Sequence, residues 1–329
     1  MASEEKATLE PRVRRSSLDD GLNPDGLNPD GLNPFGDVDF PELEKSLRRP
    51  RTLLSILLST VVTGMTVLAL IPLFSVVWML LLRGGEQLRF SLFTQLPPAP
   101  LEPGGGFGNA ILGTIIIVAI AAFISVPTGV LSAIFLSQAD KKNRLASAVR
   151  LAATVLTGFP SILAGVFAYG AIVLVMGRFS AIAGAVAVSI LMLPTVMLTA
   201  EEAIRAVPTK MREAAIGMGA TATQTIWMVL LPTALPGILT GVMLAVARAS
   251  GETAPLLFTA LFSNYWPISG GHIELLRPTP SLAVLIYNFA GMPFENQVGL
   301  AWAASLVLVV LVLTTNLVGQ SLSRRRVKE

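Results

Sequence analysis

Six long apolar runs separated by polar stretches set the pattern of this chain: Leu53 to Leu82, Ala110 to Leu136, Leu151 to Met176, Phe179 to Ala200, Leu235 to Leu261 and Leu300 to Val318. A run of about eighteen or more apolar residues is long enough to cross the hydrocarbon of a bilayer as a helix. Unpaired backbone groups are costly there, so such runs close their hydrogen bonds internally. The pattern therefore predicts an all-α integral membrane protein with six transmembrane helices and both termini on one side. Most runs exceed the roughly twenty residues a bilayer needs, so tilts, kinks or extension past the membrane are expected. Pro127, Pro160, Pro194 and Pro255 fall inside them; each removes a backbone donor and can bend its helix. The first run is too long for a signal-peptide core and has no obvious cleavage site, so it is expected to remain as an anchor.

Composition agrees with a membrane body. Hydrophobic residues make up 53% of the chain and charged residues 14%, against about 25% charged in an average soluble domain. The charges that remain are sorted by side. Nineteen Lys and Arg fall on the side of the termini and four (Arg83, Arg89, Arg178 and Arg277) on the other, with Arg248 inside a run. Cationic loops stay in the cytosol, which orients both termini and the loop between the fourth and fifth runs inward. No basic stripe with interleaved aromatics suggests nucleic acid.

The chain contains no cysteine and one histidine, His272, in a Gly-Gly-His loop. Disulfides, thiolate metal sites and thiol nucleophiles are excluded, and His272 reads as an ordinary loop residue. No G-x-x-x-x-G-K-[ST] phosphate loop is present. The sequence thus points away from an enzyme and away from any ATPase, catalytic or metal site of its own.

Two domains of unequal weight are expected, a polar head over residues 1–50 and a six-span body over 51–329. The head carries three tandem pentapeptides, Gly21-Leu22-Asn23-Pro24-Asp25, Gly26 to Asp30 and Gly31 to Phe35. It is acidic and poor in apolar residues, a composition that buries too little surface to offset ordering entropy, so disorder is expected.

Within the body, a cytosolic stretch at about 201–232 is the most informative polar island. Pro208 opens a short helix, Thr209 to Ile216, and a second helix starts at Thr221. Thr221 and Gln224 have the spacing of a capping box, each side chain serving a free amide of the first turn. Gly219 between the helices is a site for positive φ or close backbone approach. A helix-turn-helix reading fails because a loop tethered at both ends to a bilayer is poorly placed for a major groove. The G-x-G-x-x-A match at Gly217 to Ala222 lacks the preceding strand that gives that pattern meaning.

Arg248 and Glu252 are the only ionisable residues deep inside a run. Their i, i+4 spacing places them on one helical face. A charge at the bilayer centre costs about 2.5–3.5 kcal/mol, so the pair is expected to face the bundle interior or a water-filled path. Arg offers planar, multidentate donors suited to phosphate-like oxyanions; a structural ion pair is the competing reading. Gly237, Gly241 and Ala245 on the same helix form a small-xxx-small series expected to pack helices.

Two stretches carry a family resemblance. Arg212-Glu213-Ala214-Ala215-Ile216-Gly217-Met218-Gly219, closed by Val229-Leu230-Leu231-Pro232, resembles the EAA loop of ABC-importer permeases. Ala247-Arg248-Ala249-Ser250-Gly251-Glu252-Thr253-Ala254-Pro255-Leu256-Leu257-Phe258-Thr259-Ala260 is similar to the PstA-type permeases of bacterial high-affinity phosphate importers. Pro160-Ser161-Ile162, Ser281 to Tyr287 with Ile286-Tyr287-Asn288, and Ala301-Trp302 extend that match, so that it covers most of Asn109 to Gly319.

The resemblance implies a type I ABC-importer permease in a bacterial inner membrane, paired with a related C-type permease, an ATPase dimer and an extracytoplasmic phosphate-binding protein. It implies that this chain carries no cofactor, with ATP and Mg²⁺ bound by the ATPase. Glu213, Ala214, Ala215 and Gly219 would couple to the ATPase, whereas Arg248 and Glu252 would lie on the phosphate path. The repeat-bearing head departs from the usual short family N-terminus. The residues alone leave open a permease for another oxyanion, a secondary transporter driven by an ion gradient, and a non-transporting scaffold.

Overall fold

The computed structural model describes residues 50–140 and 142–325. The expectations for the head, its repeats and the last four residues lie outside the described residues. The chain divides into two units, Met1–Ala69 and Leu70–Glu329. Five helices are long and apolar enough to cross a membrane, or six if one bent pair counts as a single span.

The first helix, α1 (Thr52–Gly84), ends in a π-helical turn at Leu80–Gly84. A one-turn helix, α2 (Ser91–Thr94), leads into α3 (Gly108–Gln138). The run Leu151 to Met176, expected as one span, is instead α4 (Arg144–Thr157) and α5 (Ser161–Met176), set at 107°. The physical cause is local. Pro160 has no N–H and pushes the residue before it out of the helical region, while Gly158 caps α4 and Pro160 stands at the N-cap of α5.

Helix α6 (Ala181–Arg205) is started by Ser180, whose side chain accepts from the Ala183 amide. Pro127 in α3 and Pro194 in α6 stay inside continuous helices. After a polar loop with α7 (Thr209–Gly217), helix α8 (Ala222–Ser250) begins thirteen residues before the expected Leu235 and stops well short of Leu261. Gly251 caps it and a separate short helix, α9 (Ala254–Thr259), follows with Pro255 in its first turn. A small hairpin then pairs Ile268–Ser269 with His272–Ile273 and sets His272 opposite Ser269. Helices α10 (Leu282–Ala290) and α11 (Glu295–Arg325) complete the chain.

Helices α3, α6 and α8 form the main core, with Ile117, Val188, Val196, Ile238 and Val242 buried together. Their approach is set by small residues. A Cβ on Gly241 would lie 2.0 Å from Thr199 Oγ1 and one on Gly237 2.7 Å from the Ala203 methyl. Ala245 is buried on the same helix, so the Gly237-Gly241-Ala245 series packs α8 on α6 as the spacing implied. A second cluster joins Leu92, Phe107 and Ala110 to Leu282, Leu285, Phe289 and Leu300. Across it, Thr114 Oγ1 accepts from the Leu282 amide at 2.9 Å and pins the start of α10 to α3. Outward, Leu73, Phe74 and Trp78 at the end of α1 stay exposed, as lipid-facing side chains do.

Candidate functional site

The last turn of α8 presents Arg248. The Gly251 amide bonds the carbonyl oxygens of Arg248 and Ala249, and the Glu252 amide bonds Ala249 O at 3.3 Å. Glu252 therefore stands just past the helix end rather than within a continuous span. It keeps the i, i+4 relation because Gly251 retains right-handed helical dihedrals, φ −98° and ψ 0°. Arg248 Nε lies 3.4 Å from Glu252 Oε1; the Glu252 side chain is 14% exposed and that of Arg248 47%. The pair is thus held at one edge of the core, with the guanidinium reaching outward. Leu191, Met192 and Thr195 of α6 and Ala245 and Ala249 of α8 form the wall beside it. Thr195 Oγ1 is sealed from solvent and has no hydrogen-bond partner among the described residues.

The loop between α6 and α8 folds as its local chemistry dictates. Helix α7 ends in a Schellman turn: Ala220 N–H bonds Ala215 O at 3.0 Å and Gly219 N–H bonds Ile216 O at 2.9 Å. Such a turn needs a left-handed residue after the cap, and Gly219 supplies it at φ +88°. The capping box forms, with Gln224 N–H donating to Thr221 Oγ1 at 3.3 Å and Thr221 N–H to Gln224 Oε1 at 2.9 Å.

One expectation for the loop is corrected. Ala215 is buried within the chain's own fold, as α7 packs against the π-helical start of α8 at Thr225–Leu230. Of the four residues expected to couple to an ATPase, it is therefore the one that does not reach the surface. Glu213, Ala214, Ile216 and Met218 are exposed. The helix periodicity explains the difference, since adjacent positions 214 and 215 point about 100° apart.

A third feature escaped the sequence reading. Glu201 near the end of α6 is buried and accepts from Arg150 Nη2 at 2.6 Å and Arg205 Nη2 at 2.9 Å. Arg205 also donates to Leu136 O at the end of α3. One carboxylate thus ties α4 to α6, and its Arg205 partner caps α3. The sequence signal for it is the i, i+4 pair Glu201 and Arg205 at the edge of an apolar run; Arg150 lies fifty-one residues away and carries no such spacing.

These elements form a broken helical bundle with a charged pair at its edge and a structured polar loop between α6 and α8. Residues 125–328 match the family described as binding-protein-dependent transport system inner membrane component, and the chain belongs to that family of multi-pass membrane proteins. Among its relatives, the phosphate transport system permease protein PstA of Yersinia pestis is 37% identical over 254 residues, 76% of this chain and 84% of the relative. That of Haemophilus influenzae is 39% identical over 253 residues, 75% and 87% of the two chains. The probable PstA of Methanocaldococcus jannaschii is 33% identical over 258 residues, 77% and 88%.

Solved structures agree on the fold. A chain of the MetNI methionine ABC transporter in an inward-facing conformation aligns at TM-score 0.54 with 20% identity, covering 67% of this chain and 95% of that one. A chain of a bacterial alginate ABC transporter, solved with its pentasaccharide-bound periplasmic protein, aligns at TM-score 0.56 with 18% identity, covering 86% and 97%.

Proposed function

We propose that this chain is the channel-forming permease subunit of an ATP-driven phosphate importer. The single observation that carries the reading is the half-exposed Arg248 beside Glu252 at the edge of the bundle core, in a chain whose relatives are phosphate transport permeases. A guanidinium left with an open side is a donor for an oxyanion. A charge held within an apolar assembly is worth its desolvation only where it has work or a partner. The chain performs no covalent chemistry; a partner ATPase dimer binds ATP and Mg²⁺.

The path lies at the face shared with a second, C-type permease, which would cover the open side of Arg248. An extracytoplasmic binding protein delivers phosphate. Both termini and the loop bearing Glu213 face the cytosol, consistent with the bias of Lys and Arg. There the exposed edge of α7, from Glu213 and Ala214 to Met218, seats in a groove of the ATPase in the helix-in-groove manner. Closure of the ATPase moves α7, and through its packing on Thr225–Leu230 it moves α8, which carries Arg248 in its last turn.

The test is uptake of labelled phosphate into vesicles containing the chain with its co-purified partners, with and without ATP on the ATPase side. Wild type is expected to accumulate phosphate only with ATP, and Arg248→Ala to lose at least tenfold of the rate, the scale of one charge-assisted hydrogen bond of about 1.5–3 kcal/mol. Uptake without ATP, or uptake of another oxyanion alone, would refute the proposal.

A further inference from the structure

Several threonines inside these helices share a local habit. The hydroxyls of Thr114, Thr128, Thr199 and Thr240 each donate to the carbonyl four residues back, at 2.6–2.9 Å. That bond satisfies the hydroxyl without a tertiary partner. Thr195 breaks the habit. Its Oγ1 is closed off from solvent and bonds nothing among the described residues. Buried hydroxyls are ordinarily paired, and an orphan calls for a structural or functional reason.

The position of this orphan is specific. Thr195 lines the same crevice as Arg248 and Glu252, on the face where α6 meets α8. The contact recorded for the Arg248 guanidinium is through Nε, so its terminal nitrogens make no hydrogen bond among the described residues. The three side chains thus offer different chemistry. Arg248 can only donate, the ionised carboxylate of Glu252 can only accept, and the Thr195 hydroxyl can do either. A tetrahedral oxyanion that still carries a proton presents both acceptor oxygens and one P–OH donor, which matches that set; a fully deprotonated one leaves the carboxylate facing a bare anionic oxygen. Residues of the crevice leave no water-sized void between them, so the anion would reach Thr195 from the side where Arg248 is exposed, as the side chains of the crevice turn toward it.

We propose that the Thr195 hydroxyl is a second contact of the oxyanion path, acting with Arg248 as donor and Glu252 as acceptor on protonated phosphate-class anions. This rests on the reading of Arg248 given above.

The test compares ATP-driven uptake of labelled phosphate by the full complex with its binding protein, reconstituted in vesicles, for wild type, Thr195→Val, Thr195→Ser, Glu252→Gln and the Thr195→Val, Glu252→Gln double variant. Valine keeps the shape and removes the hydroxyl. The expected result is a maximal rate about tenfold lower for Thr195→Val, the scale of one lost hydrogen bond in the passing complex, with half-saturation unchanged. Thr195→Ser should stay within about twofold, and the double variant should lose less than the product of the single losses, as for groups sharing one ligand.

A wild-type rate in Thr195→Val, or an equal loss in Thr195→Ser, overturns the role of the hydroxyl while leaving the importer intact. No ATP-driven phosphate uptake by wild type overturns both readings. Where Thr195→Val does not assemble, as read by co-purification of its partners, Thr195→Ala against Thr195→Ser decides in the same way.

Discussion

Gly219 holds a backbone conformation that any side chain would strain. At φ +88° it closes α7, and no heavy atom lies within 4 Å of a Cβ built there, so the obstacle to a side chain is backbone strain alone. Forcing an L-residue left-handed costs about 1–2 kcal/mol, more for a β-branched one. Gly219→Val is therefore expected to fray the end of α7 and uncouple ATP hydrolysis from uptake while membrane insertion stays intact, as measured by hydrolysis and uptake on the same vesicles. Glu213→Lys should give the same loss of uptake without a change in thermal stability beyond about 0.5 kcal/mol, since an exposed charge contributes little to the fold. Normal uptake in either variant would remove the coupling role from this loop. Thr221, Gln224 and Gly219 were readable in the sequence because capping and positive φ are local properties. Burial of Ala215 was not, because which side of a short helix faces inward is decided by the segment it packs on, here the turn at Thr225–Leu230.

Between elements, the Arg150–Glu201–Arg205 cluster is the strongest polar tie. The carboxylate side chain is 6% exposed while the two guanidinium groups are 40% and 43% exposed, so loss of Glu201 strands no fully buried cation. Glu201→Ala is expected to destabilise the chain by about 1–3 kcal/mol, below the full penalty of breaking a buried pair because the arginines regain water. A lower midpoint of thermal unfolding in detergent would show it, whereas an unchanged midpoint would reduce the cluster to a surface decoration. Long apolar runs located the helices well because hydropathy sums over a window. Hydropathy alone does not show the break at Gly158–Pro160, which Pro160 signals as a bend, or the stop at Gly251, because a turn between two apolar helices changes direction without changing polarity. Glu201 was missed for another reason, since a pairing between residues far apart in sequence leaves no periodic trace.

For the whole molecule, the class was legible, and the assignment of helices to a type I permease bundle holds across the described residues. What the sequence left unread is how unequal the crossings are. Helix α5, from Ser161 to Met176, has sixteen residues, about 24 Å at 1.5 Å per residue, whereas its neighbour α6 has twenty-five, about 37 Å. Hydrocarbon of about 30 Å is too thick for the first and too thin for the second. Helix α4 leaves α5 at 107° and carries Leu145, Leu151 and Val155 exposed along it, a surface suited to lying in the headgroup boundary. A crossing made by α5 alone is expected to thin the membrane beside the bent pair, by an amount that depends on acyl chain length. Uptake by the complex should therefore fall as vesicles are made from progressively longer lipids and recover in shorter ones, so that the lipid composition of the cell acts as a silent setting on the rate at which the importer turns over.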